Sequence, residues 1–382
     1  MLSIKKQNLI NLIVYFFVIS NILDMKGDVG LKYVSFLFLC GALFIKFPKI
    51  KSFKLLFFVV LIFFYGLSLL ITQINGGNLS ITYSYNLFFL TIIILLLVSE
   101  IFDKNVILYF IMNALFYCSL MIFFGYFFSF IYPNESILDI LKIFAANFDE
   151  REEMRSSAMI IVPKIYFNFT LFLPSAFIYF LFRNNYLKSL LVSVAILLSL
   201  SRAAIIITLL LLLVYVFKSQ SLKKLLTNIF LLFAFSLVLA FMIDLFVPSI
   251  FIHILNLGDS SQGTVATRID QINMISDVFS DNIIHFLFGM GPGTPIYSNF
   301  HGMNIYNIEI APLEFIRKYG VIFFAIIFSL MFKIIFQNFK IDKSKSYLLI
   351  ALFLGTFSNP ILTAPLFIFI FILCNNKSLK KI

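Results

Sequence analysis

Long apolar runs follow one another along almost the whole chain, and the short stretches between them carry most of its lysines. Each run covers roughly 15 to 25 residues, what a helix needs to cross the ~30 Å hydrocarbon core of a bilayer. The pattern predicts twelve such spans, at approximately 6–23, 29–47, 53–73, 81–101, 105–132, 160–182, 187–200, 203–217, 225–247, 311–336, 345–359 and 361–375. The seventh, eighth, eleventh and twelfth are short. They predict tight re-entry at Arg202 and at Ser358-Asn359-Pro360, where polar residues and a proline interrupt the apolar run. The expected fold is all-α: a polytopic helical membrane bundle forming a single transmembrane domain over 1–382, with longer external loops at 133–159 and 248–310.

Composition leaves no room for a soluble domain, with 61% hydrophobic residues, 12% charged and a mean hydropathy of +1.02. Charge placement orients the chain, because lysine and arginine collect on cytoplasmic loops. With both termini cytoplasmic, nineteen basic and three acidic residues fall inside, and ten basic and fifteen acidic outside. The sides then carry +16 and −5, together the +11 of the whole chain. The first run follows Lys5 and Lys6 but ends at Asn21-Ile22-Leu23-Asp24 without a small-residue cleavage site, so it is expected to stay as the first helix. The lysines are spread over many short loops and form no surface for reading nucleic acid; they face anionic headgroups. Cys40, Cys118 and Cys374 all fall inside predicted spans and imply no disulfide framework.

The 133–159 loop contains Asp149-Glu150-Arg151-Glu152-Glu153-Met154-Arg155, whose ordinary reading is a solvated helix face. The 248–310 loop is richer. It holds His253, His285 and His301, and residues 264–279 predict an amphipathic helix with Val265, Ile269, Ile272, Ile275 and Phe279 at helical spacing. That helix is expected along the membrane surface.

Three arginines stand out against this apolar background: Arg202 in Ser199-Leu200-Ser201-Arg202, then Arg268 and Arg317 on either side of Gly289-Met290-Gly291-Pro292-Gly293. Charge beside a bilayer is costly and is usually kept for function. A guanidinium matches phosphate oxygens in pairs, so three on one side of the membrane form a receptor for a diphosphate. Bare backbone at Gly289, Gly291 and Gly293 is able to approach such a ligand closely. Each feature has an ordinary alternative. Arg268 snorkels or pairs with an aspartate, Arg317 pairs with Glu314 three residues earlier, and glycine-proline clusters mark plain turns. The histidines are too widely spaced for a metal site, and neither a Gly-x-Ser-x-Gly elbow nor a Gly-Lys-Ser/Thr phosphate loop is present, so no metal or cofactor is expected.

In order along the chain, Ser199-Leu200-Ser201-Arg202, Thr267-Arg268-Ile269-Asp270-Gln271, Phe288-Gly289-Met290-Gly291-Pro292-Gly293 and Arg317-Lys318-Tyr319-Gly320 resemble the bacterial O-antigen polymerase and O-antigen ligase superfamily. The resemblance covers about 195–335 by motif and the whole chain by topology. It implies an inner-membrane glycosyltransferase of inverting type. Its donor is an oligosaccharide on undecaprenyl diphosphate, its arginines hold the diphosphate, and its partners are membrane lipids and a chain-length regulator protein. A lipid diphosphate is already a good leaving group, so charge stabilisation replaces a metal or general acid, while the acceptor hydroxyl still benefits from a base. Where the family places a His-Asn pair, this chain has Glu309-Ile310, with His301 eight residues earlier. Both Glu309 and His301 are candidates for the base. The departure favours polymerase over ligase. A lipid-linked oligosaccharide flippase is the competing class, but it is expected to carry charges along a central cavity and to lack a long external loop.

Overall fold

The structure is a computed structural model that describes residues 2–24, 30–48, 52–131, 155–157, 160–162, 168–199, 201–217, 263–300, 302–357 and 361–375. They fold into helices α1 (Leu2–Leu23), α2 (Leu31–Ile45), α3 (Ser52–Ile74), α4 (Leu79–Val98), α5 (Lys104–Ile131), α6 (Leu173–Phe182), α7 (Tyr186–Leu198), α8 (Arg202–Phe217), α9 (Gly263–Asp281), α10 (Ile283–Phe288), α11 (Ala311–Ile341), α12 (Lys343–Gly355) and α13 (Pro365–Cys374). Two short antiparallel ribbons accompany them, β1 (Arg155–Ser157) with β2 (Ile160–Val162) and β3 (Ile296–Ser298) with β4 (Met303–Ile305). The protein is an all-α membrane bundle in character: among the described residues five helices are long and apolar enough to cross a bilayer, at Lys6–Leu23, Lys54–Ile74, Leu79–Val98, Lys104–Phe124 and Ala311–Ile341. The predicted span 225–247 and the Ser358-Asn359-Pro360 turn lie outside the described residues.

The chain divides into two compact units, one of Met1–Ala114 with Gln262–Ile382 and one of Leu115–Ser261. In the second, α6 is the centre. Every residue from Leu173 to Leu181 is buried, and α7 and α8 pack against it. The expected single span at 160–182 is corrected here. Among its described residues a strand occupies 160–162, a 3₁₀ turn runs over Asn168–Phe172, and α-helix covers the ten residues Leu173–Phe182. Pro174 in the first turn sets where that helix begins. At a rise of ~1.5 Å per residue, ten residues cover only about half of a bilayer core.

In the first unit helices adjacent in sequence pack in pairs, α1 with α2, α3 with α4 and α11 with α12. Helix α13 sits in the middle, apolar on all sides and buried from Leu366 to Cys374, against α1, α4, α11 and α12. Such a helix belongs inside a bundle. Outward-facing Leu56, Phe63 and Phe44 are exposed, as lipid-facing positions are. Polar side chains tie helices where water is absent: Asn86 Nδ2 donates to Ser68 Oγ at 2.8 Å across α3 and α4, and Asn338 Nδ2 to Cys374 O at 2.8 Å across α11 and α13.

The two ends of this unit differ in chemistry. At one end Lys54 pairs with Glu100 at 2.7 Å, Lys345 Nζ donates to Asn105 Oδ1 at 2.7 Å and Lys104 Nζ to Asn375 O at 3.2 Å. The other end carries the α3–α4 turn, the glycine-rich turn, α9, the β3–β4 ribbon and the start of α11. Helix α4 runs between them, and its twenty residues measure ~30 Å.

Candidate functional site

The site is built on a break in α11. Pro312 lies in the first turn, and helix runs from Ala311 until Gly320 takes φ 82 and ψ 162, a left-handed conformation that releases the carbonyls before it. The glycine-rich turn fills the gap: Met290 N donates to Arg317 O at 2.7 Å and Gly291 N to Lys318 O at 3.2 Å. On its other side Asn75 Nδ2 donates to Met290 O at 2.9 Å and Asn78 N to Gly293 O at 2.9 Å. Gly289, Gly291 and Gly293 are all buried. A Cβ at Gly289 would strike the Lys318 backbone, at Gly291 Thr72, and at Gly293 the Asn78 carbonyl. The close approach expected toward a ligand is made here toward protein, and the turn locks α3 and α4 to α11.

Arg317 holds the same junction from within. Its side chain has no exposure, and its donors are used internally. Nε and Nη2 fork onto the Glu314 carboxylate at 2.8 and 3.0 Å, Nη1 donates to Thr294 O at 2.9 Å, and Nη2 to Tyr306 O at 2.6 Å. Lys318 Nζ completes the cluster, 2.7 Å from Glu314 Oε1, 2.8 Å from Asn307 Oδ1 and 3.4 Å from the centre of the Tyr85 ring. Buried ions are tolerated only when their partners are this complete. The ordinary pairing of Arg317 with Glu314 is the one observed.

Above this cluster the segment 306–310 crosses the start of α11 and is strapped down from both sides. Arg317 holds Tyr306 and Lys318 holds Asn307; from α9, Gln271 Oε1 accepts Glu309 N at 3.0 Å and Arg268 Nε meets Glu309 Oε2 at 3.3 Å. The pair is on the surface: the Arg268 side chain is 39% exposed and Glu309 27%. Asp270 Oδ2 accepts from Ser298 Oγ at 2.8 Å and Phe300 N at 3.2 Å, fixing the ribbon to α9.

Helix α9 falls where sequence predicts it, and its apolar face does so only in part: Ile275 is buried and Phe279 packs against the same core. Thr267, Gln271, Met274 and Ile275 turn inward, Met274 and Ile275 join Ile296 and Ile308 in a small core, and Ile269 and Ile272 are about half exposed. The polar Gln271 is inside because it satisfies the backbone of Glu309, a bond invisible to helical periodicity. Tyr85, Asn307, Tyr306 and Thr294 also belong to the site and were missed. Only the Gly76-Gly77-Asn78 turn signal hinted that α3 and α4 end nearby. Arg202 opens α8 in the second unit. Its side chain, and all of His253 and His301, lie outside the described residues.

No family model, curated protein or solved structure matches the chain.

Proposed function

We propose that this chain is a membrane glycosyltransferase that joins oligosaccharide units carried on undecaprenyl diphosphate, a surface-polysaccharide polymerase. The observation that carries the reading is the contact between Arg268 and Glu309, a partly exposed base beside a partly exposed guanidinium. In the reaction Glu309 takes the proton of the acceptor hydroxyl, that oxygen forms the new bond to the anomeric carbon of the donor sugar, and the bond to the carrier diphosphate breaks with inversion. The departing diphosphate keeps the electron pair, and Arg268 stabilises its charge. Donor binding draws the guanidinium toward phosphate and frees the carboxylate for its proton. Arg317, closed off inside the protein, acts by positioning: it fixes Thr294 and Tyr306, and so the segment that presents Glu309. His301 is the second candidate base.

The motif order gives the substrate class, and the separation of this end from the lysine-bearing one fits chemistry on the outer face of the inner membrane. Purified protein supplied with lipid-linked repeat units should lengthen them without added metal and in the presence of a chelator. Deletion of the gene should leave single repeats on the lipopolysaccharide core. Core with no repeats at all would move the assignment to ligase or flippase.

A further inference from the structure

The end of the first unit opposite the glycine turn contains a cavity of about 310 Å³, lined by Gln7 and Asn11 of α1, Lys46 just past α2, Glu100 and Asp103 between α4 and α5, and Val106 of α5. Its depth in the membrane follows from the helices around it. Three candidate spans begin close by, at Lys6, Lys54 and Lys104, and one ends at Val98. The cavity therefore lies at the headgroup level of one leaflet, with apolar helix surface directly beyond it.

The charges on its wall select among headgroups. Glu100 is neutralised by Lys54 at 2.7 Å. Two opposite charges remain, Lys46 and Asp103, neither in an ion pair among the described residues. Asp103 uses Oδ1 to cap α5, accepting from Asn105 N at 2.8 Å, and it lies exposed at the cavity. Gln7 bridges Asn11 Oδ1 and Ile101 O, so part of the neutral wall is polar and hydrogen-bonded, while Ile101, Phe102 and Val106 make the rest apolar. Among the described residues that line the cavity, Lys46 is the one cation and Asp103 the one acid without an ion pair, so an anionic headgroup would bring its charge beside Asp103 as well as Lys46. A headgroup with both a phosphate and a primary ammonium matches both charges, and the volume is near the lower end of the ~300–1,000 Å³ usual for small-ligand sites.

We propose that this cavity binds the headgroup of one phosphatidylethanolamine, with Lys46 on the phosphate and Asp103 on the ammonium. The ammonium donates hydrogen bonds that a trimethylated choline lacks, so the site prefers ethanolamine over choline. Binding here clamps α1, α2 and the α4–α5 turn together, whatever reaction the opposite end performs.

The test uses the full chain, purified in detergent and stripped of native lipid, then titrated with phosphatidylethanolamine, phosphatidylcholine or phosphatidylglycerol in mixed micelles. Native mass spectrometry counts the bound lipid. One phosphatidylethanolamine should be retained in preference to the others. Lys46→Gln and Asp103→Asn should each weaken it roughly tenfold, the value of one charge-assisted hydrogen bond. Asp103→Asn keeps the helix cap while removing the charge, so it should leave phosphatidylglycerol binding unchanged or stronger. Unliganded thermal midpoints matching the wild type show that the variants are folded. Phosphatidylglycerol held as tightly as phosphatidylethanolamine, or a preference unaltered in both folded variants, overturns the proposal.

Discussion

Arg317 and Arg268 each pair with a glutamate at the glycine-turn end of the first unit, yet the regions around them are built on different terms. Around Arg317 nothing is left open: a two-point bond to Glu314, two backbone carbonyls and no exposed surface. Around Arg268 the guanidinium meets Glu309 through Nε at 3.3 Å, and both side chains reach the surface. A buried pair must be complete because each ion has lost its water, and removing one partner strands the other. An exposed pair contributes little to stability because water competes for both groups. The first region is invested in the fold, and the second is where a ligand exchanges partners cheaply.

The sharpest way to break this contrast is Arg317→Ala. Loss of the guanidinium leaves Glu314 with Lys318 alone and strands the Thr294 and Tyr306 carbonyls, and should cost about 3–5 kcal/mol. Detergent-purified protein should melt well below the wild type or fail to accumulate. Arg317→Lys keeps the charge without the fork and should recover only part of the loss. An alanine variant with the wild-type midpoint and no activity would place Arg317 with Arg268 instead, as a ligand-binding residue.

Gly291→Ala should have the next largest effect. The residue has φ +86, where any side chain costs about 1–2 kcal/mol in backbone energy alone. The new methyl also overlaps Thr72, so the glycine turn must shift off α3 or off the α11 break. Double substitution with Thr72→Gly should return only a small part of the midpoint, since it removes the clash with the Thr72 hydroxyl but leaves the close approach to the Thr72 backbone and the φ cost. If Gly291→Ala melts normally, the turn is not the lock between these helices.

Sequence pattern reached the helices because lipid enforces it: an apolar run long enough to cross is legible without knowing its neighbours. Hence 31–45, 52–74 and 104–131 fall within a few residues of expectation, and the Glu314–Arg317 pair is visible as an i, i+3 spacing. What escaped depends on distant backbone. Helix α9 turns its polar Gln271 inward to reach Glu309, 38 positions away. The run 160–182 reads as one span, since nothing local distinguishes it from a run whose described parts are a strand, a 3₁₀ turn and a short core helix. Tyr85 enters the site from α4, whose composition alone looks like plain membrane helix.

The smallest effect on the fold is expected at Arg268 and Glu309, and it is the one that sharpens the contrast most. Their mutual contact is partly exposed, so Arg268→Ala and Glu309→Gln should each change stability far less than Arg317→Ala, by about 1 kcal/mol. Their consequences for transfer should be large and different in kind. Glu309→Gln preserves shape and removes the proton acceptor, so polymerisation should stop while lipid-linked donor still binds. Arg268→Ala removes the charge on the leaving-group side, so donor affinity and turnover should fall together, with Arg268→Lys restoring part of both. Thermal midpoints and donor-binding curves on the same preparations separate these outcomes from misfolding. Should Glu309→Gln polymerise at the wild-type rate while His301→Ala does not, the base is His301, and the pairing of Arg268 with Glu309 only holds the strap to α9.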